Sequence, residues 1–157
     1  MERLNDQMTD EYYMAEALAE AGRAAELGEV PVGAVVVCEG KIVGRGHNLR
    51  ETDRMATAHA ELLAIEQACR TLGSWRLIGC TLYVTLEPCP MCAGAIVNAR
   101  LDRVVFGAKD ATMGAMGSVL NLPRFPLGAH PVVEGGVLEA ECRELLQSFF
   151  KNRRTKK

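Results

Sequence analysis

The sequence predicts an α/β fold in which a mixed β-sheet is covered by helices on both of its faces. Two observations lead to this prediction. Segments with apolar residues at helical intervals alternate with short runs rich in β-branched residues. One helical segment, residues 90–100, separates two such runs, and a strand–helix–strand unit of this kind is the right-handed crossover that joins parallel strands.

The first half of the predicted fold is a helix followed by a β-hairpin and a second helix. The first helix spans residues 10–27, where apolar residues recur on one stripe before a glycine ends it. Residues 30–38 and 41–48 are predicted strands, and the Glu-Gly pair between them indicates a tight turn. The second helix follows Thr57, a suitable N-cap, and ends near Gly73.

The second half continues the alternation of strands and helices. Its predicted elements are a strand at 81–87, a helix at 90–100, a strand at 102–108, a short edge strand at 130–137 and a helix at about 138–154. Residues 109–130 contain glycines and prolines and are predicted to be irregular. Phe149 and Phe150 have the register of core residues on the last helix.

Composition and charge favour one domain, residues 1–157, that does not enter a membrane. The chain is 48% hydrophobic and 24% charged, and it contains no run of 18 apolar residues and no signal-like N-terminus. We therefore expect a cytoplasmic protein, in which six cysteines are thiols or metal ligands rather than disulfides. Five basic residues fall in a tail at about 151–157, which is either a solubility feature or a phosphate-binding patch.

His59 and Glu61 stand two positions apart at the start of the second predicted helix. Residues i and i+2 point about 200° apart around a helix, so these two side chains do not share one side face. They are able to converge on a target beyond the N-terminal end of the helix. Another part of the chain must then supply the rest of the site.

The stretch Pro-Cys-Pro-Met-Cys at residues 88–92 is the candidate partner. Pro90 suits the first position of a helix, which makes Cys89 a cap and places Cys92 in the first turn, where the positive helix end favours thiolates. Together with His59, these cysteines are three ligands of the kinds that zinc prefers, with a fourth position left open. A lone CxxC is also compatible with a redox pair or half of a zinc finger. His47 and His130 are possible fourth ligands in principle, although neither has a motif spacing.

The two motifs together resemble the H-x-E…P-C-x-x-C signature of zinc-dependent nucleobase deaminases. Further segments, among them VPVGAVVV, GRGHN, RVVFGA and LLQSFFKNRR, resemble the bacterial tRNA adenosine deaminases (the TadA family) over about residues 10–154. This resemblance implies the cytidine deaminase-like three-layer α/β/α sandwich with a central mixed sheet. It also implies hydrolytic deamination of adenosine to inosine at the wobble position of the tRNA anticodon.

The resemblance implies roles for particular residues and partners. It implies one zinc ion per subunit, a homodimer and an anticodon stem-loop as the bound partner. The implied site residues are the metal ligands His59, Cys89 and Cys92, the proton-transferring Glu61, the base-contacting Val30 and Asn48, and the anticodon-loop contacts Asp110 and Arg153. Several of these have a purely structural interpretation as well: Asn48 suits a turn, Asp110 suits a loop, and Glu61 suits the first turn of any helix.

Two other functions are compatible with the same fold. One is deamination of free guanine or cytosine. The other is a catalytically silent RNA-binding module stabilised by zinc, which is disfavoured because a purely structural metal site needs neither Glu61 nor an open fourth position. Basic residues at the end of an otherwise acidic chain suit an anionic polymer better than a free base.

Overall fold

A computed structural model describes the backbone of residues 2–155 and the side chains of residues 6–153. The elements in this part of the chain are α1 (Glu2–Glu26), β1 (Gly33–Cys38), β2 (Lys41–His47), α2 (Ala60–Leu72), β3 (Cys80–Leu86), α3 (Pro90–Asn98), β4 (Arg103–Ala108), β5 (Val132–Gly135) and α4 (Glu139–Thr155). Of the predicted basic tail, Arg154, Lys156 and Lys157 lie outside the described side chains. No described helix is both long enough and apolar enough to cross a membrane.

The five strands form one mixed sheet in the order β2-β1-β3-β4-β5. β1 pairs antiparallel with both β2 and β3, whereas β3, β4 and β5 run parallel. The predicted crossover through α3 and the predicted edge strand β5 are therefore confirmed. Glu39 and Gly40, both at positive φ (50° and 75°), make the tight turn expected between β1 and β2.

The helices cover both faces of the sheet, which confirms the predicted three-layer α/β/α class. On one face, α2 and α3 bury their apolar residues against β1, β3 and β4, with Leu82, Ile96 and Val104 fully inaccessible to solvent. On the other face, α1 packs through Met14 and α4 packs through Cys142. The sheet is thus buried on both sides, and α2 and α3 lie side by side in one layer.

Small residues bring α2 directly onto the β2 strand. A Cβ atom at Gly44 would lie 2.2 Å from the carbonyl oxygen of Ala64, and one at Gly46 would lie 2.4 Å from that of Ala60. Neither distance is sterically possible, so these two glycines permit the close contact. This contact fixes the height of the α2 N-terminus relative to the edge of the sheet.

Three predictions of detail are wrong. The first helix begins at Glu2 in the described chain and not at residue 10, because its polar N-terminal turns continue the helix without an apolar stripe. Thr57 is not the N-cap of α2, since the backbone turns through residues 56–57 and the Thr57 carbonyl accepts a bond from the His59 N–H. Phe150 is 44% exposed and Phe149 only partly buried, because α4 contacts the sheet mainly through its first half.

Candidate active site

Two helix N-termini meet at one edge of the sheet and bring His59 and Cys89 together. His59 is the N-cap of α2 and Cys89 is the N-cap of α3, and both have extended backbone conformations (ψ of 151° and 173°). Neither side chain caps its own helix. Both side chains are consequently free to point at each other, in front of two sets of backbone N–H groups.

The Nδ1 atom of His59 is 3.7 Å from the Cys89 Sγ and 3.6 Å from the Cys92 Sγ. Within the described residues these three form the one group of histidine, cysteine and carboxylate side chains whose ligand atoms are close enough to share a metal ion. Hydrogen bonding from Cys92 and from His59 lowers the pKa of Cys89 to about 4, although burial acts in the opposite direction. The site therefore already favours a thiolate.

Glu61 lies at the second position of α2 and is 3% exposed. Burial is the main cause that raises the pKa of its carboxyl group to about 7, and the negative charge of Cys89 adds to the effect. A carboxyl group next to these ligands that titrates near neutral pH is suited to exchanging protons with a reactant.

A cavity of about 230 Å³ opens beside the three ligands. Its wall contains the predicted site residues Val30, Asn48, His59, Glu61, Cys89 and Asp110, together with Val32, Arg50, Ala60, Leu86, Glu87 and Met113. A larger cleft of about 830 Å³, next to Asp10 and Arg103, shares no lining residue with this cavity. Of these two, the smaller cavity is the candidate active site because its wall contains the candidate metal ligands His59 and Cys89.

Asn48 and Asp110 each make the local contact expected from a structural residue as well as lining the cavity. The Asn48 amide donates to the Val30 carbonyl at 3.2 Å, and its oxygen accepts from the Arg50 N–H at 3.1 Å. One Asp110 oxygen accepts from the N–H groups of Thr112 and Met113. These contacts hold both side chains in place at the wall.

Of the predicted site residues, the fully buried Cys92 does not line the cavity, and neither does Arg153. Its guanidinium carbon lies 5.5 Å from the centre of the Phe149 ring, on the last turns of α4. The two residues border a separate groove that also includes Gly28, two positions before Val30. Arg153 is therefore near the loop between α1 and β1 and outside the cavity.

Sequence reasoning missed two buried carboxylates that anchor loops of the site. Glu29, 2% exposed, accepts hydrogen bonds from the backbone of Glu51 and from the N–H and hydroxyl of Thr52. Glu87, also 2% exposed, accepts bonds from a loop after β4. The available signal was weak: each glutamate borders an apolar segment, and its partners are more than 20 positions away.

A family model described as MafB19-like deaminase matches residues 8–154. Fold and site thus define the chain as a deaminase. It is 55% identical, over 94% of its own length and 92% of the relative's, to a tRNA-specific adenosine deaminase of Bacillus subtilis strain 168. The chain belongs to the family of tRNA-specific adenosine deaminases.

Two solved structures are also similar to this chain. One structure, from a study of A-to-I editing by tRNA:A34 deaminases at the wobble position, has a TM-score of 0.84 and 44% identity, covering 86% of this chain and 99% of its own. A guanine deaminase of Bacillus subtilis has a TM-score of 0.60 and 42% identity over 63% of this chain and 64% of its own. The tRNA deaminase thus matches more of the chain and superposes better.

Proposed function

We propose that this protein converts adenosine to inosine at the wobble position of a tRNA anticodon by hydrolytic deamination. The observation that carries the proposal is that His59, Cys89 and Cys92 form one metal-binding group, and that two of them line a cavity together with Glu61. The relatives named as tRNA-specific adenosine deaminases support the substrate. A protein acting on this substrate would work in the cytoplasm, with residues 1–157 as one catalytic domain.

The donor set fits zinc, one ion per subunit. A tetrahedral zinc with Zn–S of about 2.3 Å and Zn–N of about 2.1 Å places sulfur and nitrogen about 3.6 Å apart. The two distances from His59 Nδ1 to the sulfurs, 3.6 and 3.7 Å, agree with this value. Two thiolates and an imidazole would hold the ion and leave one position facing the cavity.

The residues of the chain divide the chemistry between them. When bound, zinc lowers the pKa of a coordinated water and so supplies a nucleophile for C6 of the purine. Glu61 would accept one proton from the attacking water and deliver it to N1 of the ring. It would then accept the remaining proton of that water, from the new hydroxyl at C6, and pass it to the departing amine. Adenosine and water are converted into inosine and ammonia, and Glu61 ends as it began.

The pKa of Glu61 suits this double role. A group that first accepts and then releases a proton is most effective when its pKa is near the working pH. Burial raises the pKa of Glu61 to about 7, far from that of an exposed glutamate. Asn48 and Val30 would meanwhile hold the base at the wall of the cavity, the amide by hydrogen bonding and the valine by packing.

RNA would extend beyond the cavity, because an anticodon loop is much larger than a cavity of about 230 Å³. Asp110 at the cavity edge would contact a ribose hydroxyl, and Arg153 outside the cavity would contact a nucleotide further along the loop. The second subunit of a homodimer would complete the binding groove. Met91 on α3, and Phe125 at the end of a short helical turn (Leu122–Arg124) that contacts α3, are exposed apolar residues available for this interface.

The proposal is tested by measuring inosine on an anticodon stem-loop with adenosine at the wobble position, beside free guanine and free cytosine. A matched stem-loop in which the adenosine is moved by one position serves as the control. We expect inosine only in the first RNA and no product from the free bases. Deamination of guanine without deamination of the stem-loop would reject the proposal in favour of the free-base enzyme.

A further inference from the structure

A single buried carboxylate holds a loop that forms part of the cavity wall. The loop, residues 110–118, contributes Asp110 and Met113 to the wall. Glu87 accepts hydrogen bonds from three backbone N–H groups of this loop, at 3.2 Å from Asp110, 3.0 Å from Met116 and 3.1 Å from Ser118. The Ser118 hydroxyl donates a fourth hydrogen bond to the same carboxylate.

These four bonds require a charged carboxylate. Three of the donors are backbone N–H groups, which are able to donate but not to accept. Both carboxylate oxygens have loop donors. Although Glu87 borders the cavity, its oxygens are therefore occupied and are not available to take part in proton transfer.

Gly114 lets the 110–118 loop pack directly against the Glu87 carboxylate. A Cβ atom at Gly114 would lie 2.5 Å from the Glu87 carboxylate and 2.4 Å from the Asp110 carbonyl oxygen. Both distances are too short for any side chain, so the loop passes here only with glycine. Gly114 and Glu87 are thus two halves of one contact, on different segments of the chain.

We propose that Glu87 is a positioning residue that holds the 110–118 loop so that Asp110 and Met113 meet the substrate. This role in binding rests on the proposed function, whereas the anchoring of the loop does not depend on it. The metal ligands and Glu61 lie on α2 and α3, and none of them belongs to this loop. Loss of the anchor should consequently weaken substrate binding more than it slows the chemical step.

The first variant is Glu87→Gln, which keeps the size of the side chain. Its single amide oxygen replaces two acceptors, and its NH₂ group faces N–H groups of the loop instead of accepting from them. We expect amide hydrogen exchange in residues 110–118 to accelerate by about 10-fold or more, measured without substrate. We expect KM for the stem-loop to rise by about 10-fold while kcat changes by less than about 3-fold.

The second variant is Gly114→Ala, which disturbs the same contact from the loop. Gly114→Ala should reproduce the faster exchange and the higher KM. Its zinc content should be unchanged, because Gly114 is distant in sequence from the ligand Cys89. Gly22→Ala is its control, because a Cβ at Gly22 meets no atom within 4 Å. Asp10→Asn is the control for Glu87→Gln, since Asp10 is a carboxylate of similar burial (6% exposed) away from the cavity.

The outcomes separate the role from its alternatives. Wild-type exchange and KM in both variants would overturn the proposal. A fall in kcat together with zinc content in Glu87→Gln, with KM unchanged, would also overturn it, since Glu87 would then act through Cys89. If the wild-type protein leaves the stem-loop unmodified, the proposed function fails, and the exchange measurement still decides whether Glu87 anchors the loop.

Discussion

The Nδ1 atom of His59 lies 3.6 Å from the Sγ atom of Cys92, although 33 positions separate the two residues in the chain. Each residue is placed by the start of its own helix, and the two helices lie side by side on the same face of the sheet. The metal-binding group is therefore made by two helix ends and not by one continuous segment. A metal ion there would link α2 to α3.

Removal of one ligand should lower metal content and stability together. We expect His59→Ala and Cys89→Ala to lose most of the bound zinc, measured by elemental analysis of the purified protein, and to melt about 5–10 °C lower. The reason is that a bound ion would link two helix N-termini that come together only in the folded chain. Cys38→Ala, at a half-buried cysteine outside the metal-binding group, should keep its zinc. Full zinc retention in either ligand variant would contradict the assigned ligand set.

Replacement of Glu61 should separate catalysis from folding. We expect Glu61→Ala to keep the fold and the zinc while turnover on the stem-loop falls by at least about 100-fold, the scale of lost acid–base catalysis. Turnover and zinc are measured on the same preparation. Glu66→Gln changes an exposed carboxylate on the same helix and should behave as wild type. Activity near wild type in Glu61→Ala would mean that Glu61 only stabilises the N-terminus of α2 and takes no part in catalysis.

Contacts to RNA beyond the cavity should depend on Arg153. We expect Arg153→Ala to weaken stem-loop binding more than removal of residues 155–157, because Arg153 is still on α4 and stacks on Phe149. Apparent affinity should fall as salt rises, and the truncation should reduce that slope. Binding is measured over a range of salt concentrations.

Two further variants are compared with Arg153→Ala and the truncation. Arg143→Ala removes a basic residue of the same helix, one that pairs with Glu139, and should leave binding unchanged. Asn48→Ala should instead impair deamination of a purine in any context, since its side chain lines the cavity. Unchanged RNA deamination in both Arg153→Ala and the truncation would mean that the basic end is only a solvated surface, and would favour a free-base substrate.

The oligomeric state should follow from the apolar surface next to α3. We expect a homodimer at micromolar concentration in sedimentation, and we expect Phe125→Glu to shift it toward the monomer. Phe125 is 54% exposed and belongs to the segment that packs beside α3. Trp75→Glu changes a residue of similar exposure (55%) on the loop after α2 and is the matched control. A wild-type protein that sediments only as a 17.1 kDa species would reject the dimer.

Acid should weaken the fold through Asp10. Burial alone raises the pKa of this carboxyl group, but hydrogen bonds from Arg103 and Tyr83 outweigh it and lower the pKa below its usual range. A lowered pKa in the folded state gives stability that is present above the unfolded pKa and is lost as the pH falls through the folded pKa. We expect the stability difference between wild type and Asp10→Asn in urea unfolding to be largest near neutral pH and to shrink as the pH falls below about 4. A difference that is independent of pH would contradict this assignment.

Local patterns were sufficient wherever one segment decides its own shape. Pro90 at the first position of a helix predicted Cys89 as the cap of α3, and Gly73 was predicted as the end of α2, where it has φ of 65°. The Glu39-Gly40 turn and the parallel pairing across α3 followed from the same kind of information. The ligand triad was predicted because its spacing relative to two helix starts is a property of the sequence.

Features that depend on contacts between distant segments were decided only by the tertiary structure. The four bonds that Glu87 accepts join it to residues 23 to 31 positions away, and no local pattern indicates which loop will reach a buried carboxylate. The exposure of Phe150 depends on where α4 leaves the sheet and not on its helical register. Arg153 borders a groove with Ala25 and Gly28 because the last turns of α4 lie next to the end of α1. Helix ends and ligand types are thus encoded within short segments, whereas the walls of the cavity arise from the packing of segments against one another.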